Sequence, residues 1–535
     1  MTTLRCRMKS YIQPFERQLA IRELQAIAGD TPSPVGKQVG AVDFTVSTRA
    51  GQSTLASRLA YWEIVGNKSL EKPTLQSLRE ATVNVVRNGI DIGELRHLLP
   101  FNGVVPLPNR RCLRYGTHGI HEYRGKFFPQ LVRSLINIAG VEPHGIIADP
   151  MSGSGTTPVE AMLHGCHGLG VDMNPLSIFL AKTKCRLLNV KPDTLSRHYK
   201  RVRQQLLATE PGQQASLPYL ESLPESDQQY LANWFSEDVL AGLDEIASVI
   251  ETVKDEPVRD FMRISLSNIL RKVSWQKDDD LRVRKEVRLD VEIDPKKEFL
   301  EEMGRSVPAV LAFLYQGAAN PLGTFSIDAG DAKELPLIWR KHLGKVDAVI
   351  TSPPYATALP YLDTDRLSLC YLGLLSRPEH RGHDHHMIGN REVTERMRRD
   401  LWASFERERG RLPVSVQELI CQIHDRNAKA DVGFRRKNLP ALLTKYFFDM
   451  SEVLRGIKES LKPGGWAFLV VGNNHTIAGG QHVDIQTARL LGDIAEEMGF
   501  DLSESLSMEM LVSRDIFRRN AMPSEEILVF RKPWR

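Results

Sequence analysis

The sequence predicts an α/β sandwich built around a mostly parallel sheet. Short apolar runs of the kind found in buried strands alternate with helical segments along much of the chain. Residues 145–172 read as a strand, a glycine loop, a helix and a second strand, which is one βαβ unit. Nearer the C-terminus, one apolar stripe has the 4, 3, 4, 3, 4 spacing of a single helix face. The stripe consists of Leu443, Phe447, Met450, Leu454, Ile457 and Leu461.

In chain order, the βαβ unit comes first, with strand GIIAD, helix TTPVEAMLHG and strand GCHGLGVD. Pro158 suits the first turn of this helix, and Gly165 suits its end. Further strands are predicted at GTFSID and VDAVIT. The striped helix stops at KPGG and is followed by strand WAFLVVG, helix TARLLGDIAEEMGF and strand EILVFRK.

Two regions flank or interrupt this pattern. Residues 1–114 are predicted to be a mostly helical N-terminal region that ends in a Pro- and Gly-rich linker. The α/β domain then comprises residues 115–189 and 323–535, separated by a charged, helical insertion at 190–322. Within the second part, residues 362–440 match no simple fold pattern. Their many arginines suit either a surface for phosphates and base edges or a solvated helical face, and a basic segment of the insertion around Trp275 has the same two interpretations.

Bulk composition is that of a soluble protein, with 42% hydrophobic and 25% charged residues among 535. A net charge of +4 permits an anionic partner without requiring one. The six cysteines include no C-x-x-C pair, which disfavours a zinc site or a disulfide framework and fits a reducing cytoplasm. We expect no signal peptide and no membrane span, because the start is charged and no apolar run approaches about 18 residues.

The first candidate site is the stretch ADPMSGSGTT, at residues 148–157. Its two glycines allow a tight turn and a close approach of the backbone to a ligand, and nearby amides favour a negative group such as a carboxylate. A strand-to-helix turn without a ligand is the alternative. The candidate residues are Asp149, Pro150, Met151, Ser152, Gly153, Ser154, Gly155 and Thr156.

Two acidic residues at later strand ends extend this candidate site. Asp172 follows the second strand of the βαβ unit, where an acid commonly accepts ribose hydroxyls. Asp331 follows the strand GTFSID, where a carboxylate could accept from an adenine amino group. Either acid could instead cap a helix or turn. Together with the glycine loop they describe a nucleoside cofactor, and the absence of G-x-x-x-x-G-K-[ST] disfavours a P-loop nucleotide.

The stretch AVITSPPYATALPY raises a separate question, because Ser352, Pro353, Pro354 and Tyr355 directly follow an apolar run. Two prolines and an aromatic residue at a strand end suit a rigid ledge for a flat ligand. A Pro-Pro turn that simply ends a strand is the alternative.

These motifs resemble a known family, the amino-methyltransferases that modify exocyclic amines of DNA bases with S-adenosylmethionine. SPPY is similar to their catalytic motif, and DPMSGSGTT to their cofactor loop, with Met151 where the family usually has Phe. HEYRGKFFPQL, at 121–131, resembles the segment that wraps the methionine end of the cofactor, which implies cofactor roles for Tyr123, Lys126 and Phe127. The resemblance implies a Rossmann-like methyltransferase fold, a mostly parallel seven-stranded sheet with a C-terminal antiparallel strand.

The resemblance also implies a reaction. Ser352 and the carbonyl of Pro353 would accept the two N–H bonds of a base amine, and Tyr355 would stack on a base flipped out of double-stranded DNA. Family members with Ser at this position often act on cytosine N4, so we expect N4-methylcytosine, with adenine N6 as the alternative.

We therefore expect a cytoplasmic, site-specific DNA methyltransferase of a restriction–modification or phage-defence system, with cognate restriction or defence proteins as further partners. An RNA amino-methyltransferase and a catalytically silent nucleic-acid-binding subunit are the competing hypotheses. We expect no metal, and interpret HDHH at 383–386 as a polar loop.

Overall fold

A computed structural model describes most of the chain. The described residues are 1–36, 42–67, 70–123, 125, 128–208, 216–277, 284–287, 293–317, 321–356, 361–390, 393–509 and 524–534. Within these ranges, no helix is long and apolar enough to cross a membrane.

The N-terminal region combines helices with a small antiparallel sheet. Its elements are β1 (Thr2–Met8), α1 (Pro14–Ala28), β2 (Ser33–Pro34), β3 (Asp43–Thr48), α2 (Gln52–Arg58), β4 (Trp62–Val65), β5 (Lys72–Pro73), α3 (Leu75–Val86) and α4 (Leu95–Leu98). The strands lie in the order β2-β3-β1-β4-β5. The prediction that residues 1–114 are mostly helical is therefore wrong. The strands were missed because they have only two to seven residues and, as in TTLRCRM, place small or charged residues between buried ones.

The α/β domain begins with α5 (Pro129–Ile138), β6 (Ile146–Asp149), α6 (Thr156–Leu163), β7 (His167–Asp172) and α7 (Pro175–Leu187). The insertion that follows is helical. Its helices are α8 (Pro192–Ala208), α9 (Pro218–Glu221), α10 (Glu225–Ala232), α11 (Glu237–Glu251), α12 (Glu256–Val273) and α13 (Pro295–Gln316).

The second part of the domain completes the main sheet. It contains β8 (Phe325–Ala329), α14 (Leu335–Ile338), β9 (Val346–Thr351), α15 (Tyr361–Thr364), α16 (Arg366–Tyr371), α17 (His380–His386), α18 (Glu395–Glu408), α19 (Val414–Ala428) and α20 (Phe434–Ser460). These are followed by β10 (Leu461–Gly472), β11 (Asn474–Ala478), β12 (Gln481–Ile485), α21 (Thr487–Glu497), β13 (Asp501–Glu509) and β14 (Ser524–Arg531).

Seven strands form the main sheet, in the order β13-β14-β10-β9-β6-β7-β8. The strands from β10 to β8 pair in parallel, whereas β14 runs antiparallel to both of its neighbours. This topology confirms the predicted Rossmann-like methyltransferase fold with its antiparallel C-terminal strand. The chain order reverses between β6 and β9, and in open α/β sheets ligands bind at such a reversal, outside the carboxyl ends of the strands.

Helix α20 covers one face of the sheet. The predicted stripe from Leu443 to Ile457 is fully buried in the apolar core between this helix and the strands. Its last predicted member, Leu461, is also buried but is the first residue of β10. The opposite face of the sheet packs against α5 and the N-terminal region. The sheet is thus buried on both sides, and its carboxyl edge remains as the place for a ligand.

Candidate active site

Four neighbouring strands bring the predicted site residues to one edge of the sheet. In spatial order, β9, β6, β7 and β8 end immediately before Ser352, at Asp149, at Asp172 and just before Asp331. Adjacent strands lie about 4.8 Å apart, so the strand leading to Ser352 is about 10 Å from that of Asp172. Residues that are about 200 positions apart in the sequence thus lie together at the carboxyl edge of the sheet, at the reversal point.

The glycine loop between β6 and α6 is held in a tight conformation. Gly153 and Gly155 have φ of +47° and +81°, in the left-handed region that favours glycine. A Cβ on Gly155 would also lie 2.6 Å from the Cβ of Ala181, so α7 approaches too closely for any side chain. The buried ammonium of Lys184 donates to the carbonyl of Ser154 at 2.8 Å. The loop is therefore fixed from behind by α7.

The Asp172 carboxylate is hydrogen-bonded both to this loop and to the residue that begins the next helix. Its Oδ2 accepts from the backbone N–H of Gly153 at 2.8 Å, and its Oδ1 from that of Asn174 at 2.8 Å. Asn174, and not Asp172, is the N-cap of α7, so the helix-cap alternative for Asp172 is wrong. The backbone N–H of Met173 is a third donor to this carboxylate, which leaves room for one further donor among its roughly four acceptor positions. Burial raises the pKa of Asp172 to about 6, against the opposing effect of its backbone donors.

Asp149 and Asp331 are in different environments. Asp149 is fully buried, and burial raises its pKa to about 7. Its Oδ1 accepts from the N–H of Met151 at 3.1 Å, which shapes the start of the glycine loop. Asp331 is partly exposed, accepts from the N–H of Lys333 at 3.0 Å and pairs with the Lys333 ammonium at 3.1 Å. The cap alternative therefore holds for Asp331, which follows β8 at the same edge of the sheet as Asp172.

Ser352 has a partner that the sequence did not indicate. Its Oγ donates to the carbonyl oxygen of Val470, on the adjacent strand β10, at 3.0 Å. A hydroxyl has one hydrogen and two lone pairs, so this bond commits the hydrogen and leaves the oxygen as an acceptor. Tyr355, on the same ledge, donates its hydroxyl to Glu525 on β14. Val470 and Glu525 lie 118 and 170 positions away, and no local sequence signal points to either.

Tyr123 lies against the glycine loop, as the resemblance implied for the segment before it. A Cβ on Gly153 would be 3.2 Å from the ring of Tyr123, and the Tyr123 hydroxyl lies 2.8 Å from Oγ of Ser177 on α7. Lys126 and Phe127, predicted for the same role, lie outside the described residues.

The HDHH stretch is helical and not a loop. It belongs to α17, and His383 Nε2 lies 2.7 Å from the carbonyl of Met173, beside Asp172. The loop interpretation failed because a short helix made of polar residues has no apolar periodicity to reveal it. Among the described residues, no group of three or more His, Cys, Asp or Glu side chains is placed to hold a metal ion.

Comparison with known protein families indicates which chemistry the carboxyl edge of the sheet could serve. The family model described as "RMKL-like, methyltransferase domain" matches residues 121–211, which include the glycine loop and Asp172. This part of the chain is similar to a methyltransferase domain. The motifs of the chain resemble those of enzymes that use S-adenosylmethionine, which is the cofactor to test against the site.

Two relatives and one solved structure are similar to the chain. The Type II methyltransferase M.MvaI of Kocuria varians is 28% identical over 48% of this chain and 58% of its own length. M.BsoBI of Geobacillus stearothermophilus is 25% identical over 50% of this chain and 56% of its own length. The chain thus spans little more than half of each relative. TrmN from Thermus thermophilus matches over 99% of both chains at 12% identity and a TM-score of 0.30. A match of this quality does not carry the fold assignment, which depends on the strand order of the main sheet.

The residues of the methyltransferase domain fit this cofactor. The hydroxyl oxygen of Ser152 is buried and has no hydrogen-bond partner among the described residues, so it is available to a ligand. The Asp172 carboxylate can accept ribose hydroxyls, and Asp331 can accept from an amino group at the next strand end. Asp331 is paired with Lys333, whereas Asp172 forms no ion pair with a described lysine or arginine, so its carboxylate suits a cationic sulfonium better than a polyphosphate.

Proposed function

We propose that this protein is a site-specific DNA methyltransferase that transfers a methyl group from S-adenosylmethionine to the N4 amine of cytosine. The observation that carries the proposal is the Ser352 hydroxyl, whose hydrogen is committed to Val470. Ser352 follows β9, the strand adjacent to β6 and its glycine loop. The similarity to two proteins named Type II methyltransferases supports DNA modification. Such an enzyme would act in the cytoplasm within a restriction–modification or phage-defence system.

The chemical problem is a weak nucleophile, because the lone pair of an exocyclic amine is spread into the ring. With its hydrogen directed at Val470, Ser352 can only accept, and it would take one N–H of the amine. The carbonyl of Pro353 would take the other N–H. Two acceptors at an angle favour a more tetrahedral nitrogen whose lone pair points away from both. The prolines hold the backbone rigid and offer no competing N–H.

Orientation supplies most of the rate in this scheme. S-adenosylmethionine brings an electrophilic methyl group when bound, so the protein's residues mainly align the amine, a contribution of up to about 7–11 kcal/mol. Tyr355, anchored to Glu525 through its hydroxyl, would stack on the flipped base for roughly 1–3 kcal/mol. Glu525 is half-buried, and burial raises its pKa.

Ser352→Ala tests the proposal through methyl transfer to duplex DNA. We expect the rate of transfer from radiolabelled S-adenosylmethionine to fall about 100-fold, the scale of losing one preorganised transition-state hydrogen bond. Ser222→Ala is the matched control, because Ser222 is exposed on the insertion and its hydroxyl also donates to a backbone carbonyl, that of Tyr219, at 2.6 Å. Its rate should equal that of the unaltered protein.

Mass spectrometry of the digested product identifies the base. N4-methylcytosine supports the proposal as stated, whereas N6-methyladenine would retain the enzyme class and change the target. Label found in RNA and not in duplex DNA would replace DNA by RNA as substrate. Cofactor binding without transfer to either nucleic acid would indicate a silent binding subunit instead.

A further inference from the structure

A group of exposed cations lies at the first turn of α20, and we call residues 434–437 the basic tip. Arg435, Arg436 and Lys437 are all exposed, beside Phe434 with 60% of its surface accessible. Residues 425–437 contain five cationic and two acidic side chains. Cations clustered at one end of a helix are the electrostatic footprint of a nucleic-acid contact.

The basic tip differs from the other arginine-rich element of this region. On α18, Arg396, Arg398 and Arg407 each pair with an acidic residue within four positions, as Arg411 just after it pairs with Glu408. Such pairs neutralise most of the positive charge of α18, where only Arg399 among the four arginines forms no ion pair with a described residue. In contrast, none of the three cations of the basic tip forms an ion pair with a described residue. Their charge is therefore available to an outside partner.

The basic tip lies beyond the same edge of the sheet as Ser352. Helix α20 ends at Ser460, where β10 begins at the amino edge, so the helix starts on the carboxyl side. Its 27 residues span about 40 Å, whereas the six residues of β9 span about 20 Å. The first turns of α20 therefore project about 20 Å past the end of β9.

A second element holds the basic tip in place. β10 continues past the active-site edge into the hairpin formed by β11 and β12, whose turn contains Gly479. The side chain of Asn427 joins the two. Its Nδ2 donates to the carbonyl of Arg436 at 2.8 Å, and its Oδ1 accepts from the N–H of Gly479 at 3.1 Å. The tip is thus fixed to the strand whose Val470 carbonyl orients Ser352.

We propose that the basic tip binds the phosphate backbone of duplex DNA beside the flipped base. This inference rests on the proposed function and adds the surface that holds the substrate. When a flipped base lies at Ser352, the rest of the duplex stays outside the carboxyl edge of the sheet. Phosphates several base pairs along the duplex would then lie about 20 Å from the flipped base. Three cations at that distance would fix the register of the duplex without reading its sequence.

The salt dependence of DNA binding tests the proposal. Each phosphate contact contributes about 0.9 to the slope of log K against log salt concentration. Arg435→Gln, Arg436→Gln and Lys437→Gln together should therefore lower this slope by about 2 to 3 and weaken binding at least tenfold at about 0.1 M salt. The measurement is fluorescence anisotropy of a labelled duplex between 50 and 200 mM salt, with binding of S-adenosylmethionine expected to stay unchanged.

The matched control carries the same charge change on α8, with Arg197→Gln, Lys200→Gln and Arg201→Gln. These side chains are equally exposed, and α8 packs against α11 and α13, away from the hairpin. Its slope should match that of the unaltered protein. If the triple variant folds poorly, the single variants should each lower the slope by about 0.9.

Three outcomes would overturn the assignment. Equal slopes for the tip variant and the unaltered protein, with methylation of duplex DNA intact, would refute the basic tip alone. A loss as large in the α8 variant would mean that net charge, and not this surface, governs binding. If the unaltered protein neither binds nor methylates duplex DNA, the proposed function fails and the basic tip fails with it.

Discussion

At the scale of residues, the protonation of Asp149 and Asp172 should govern how tightly the carboxyl edge of the sheet binds its cofactor. Asp172 and Asp149 could be predicted as site residues because they end apolar runs next to a glycine loop. Their pKa values could not, because these depend on how completely α7, α17 and the loop exclude water from them. The same holds for Ser352, whose position was predictable while its partner Val470 required knowledge of which strand lies beside β9.

Affinity for S-adenosylmethionine should fall as the pH drops through about 6. The raised pKa of Asp172, about 6, means that its carboxyl is mostly ionised at pH 7.5 and mostly protonated at pH 5. Protonation removes the acceptor that ribose hydroxyls need, so affinity should weaken by up to about tenfold per pH unit below this value. Isothermal titration calorimetry between pH 5 and 8 measures the effect.

Asp172→Asn is the control for this pH dependence. The variant should bind weakly, with little change across the same pH range, because its side chain does not titrate. A residual slope near pH 7 would come from Asp149, whose pKa is about 7. Affinity of the unaltered protein that stays constant from pH 5 to 8 would contradict the role of the Asp172 carboxylate.

At the scale of elements, most strands of the main sheet and helix α20 were predictable, because short apolar runs and a stripe repeating over about four turns leave little ambiguity. β1 and α17 were missed, since both are short and rich in polar residues. The contribution of the insertion was also hidden. Its helix α12 places Ser267 within 3.2 Å of His121 Nε2, and the same hydroxyl donates to Ser368 on α16 at 2.8 Å. The insertion therefore joins the segment before the cofactor loop to the segment after SPPY.

Asn268 on α12 should act as a positioning residue for the cofactor segment. Its Oδ1 accepts from the N–H of Glu122 at 2.9 Å, one residue before Tyr123, whose ring covers Gly153. Asn268→Ala removes that acceptor, and because the bond is exposed, water can take its place and the loss is about 1 kcal/mol. We expect the KM for S-adenosylmethionine to rise by up to about fivefold with little change in kcat.

Steady-state kinetics of two further variants separate this role from a loss of stability. Asn268→Asp keeps an acceptor oxygen and should restore the KM. Asn233→Ala removes an exposed side chain of the insertion that donates to the carbonyl of Gln229 at 2.9 Å, and should leave both constants unchanged. A fall in kcat with an unchanged KM for Asn268→Ala would rule out cofactor positioning.

At the scale of the whole molecule, the N-terminal region and the α/β domain share one core. Three polar side chains on one face of α5 bond into the N-terminal region. Gln130 donates to Glu80 at 3.0 Å, Arg133 to the carbonyl of Arg58 at 3.0 Å, and Asn137 to Glu23 at 2.9 Å. The apolar core around them is continuous from β1 to β10 and β14. The sequence could not indicate this docking, because polar residues on a helix face ordinarily predict exposure to solvent.

Cofactor binding should therefore stabilise the N-terminal region, although none of its described residues lies at the edge. If the two regions unfold as one unit, a ligand at 100 times its Kd stabilises both by about 2.7 kcal/mol. Hydrogen exchange of peptides covering β1 and β4 should slow by up to about 100-fold in that condition. The effect should be absent in Asp172→Asn at the same concentration, because that variant binds the cofactor weakly. Protection confined to β6 and β7, with two separate unfolding transitions, would show that the buried bonds of α5 do not couple the regions.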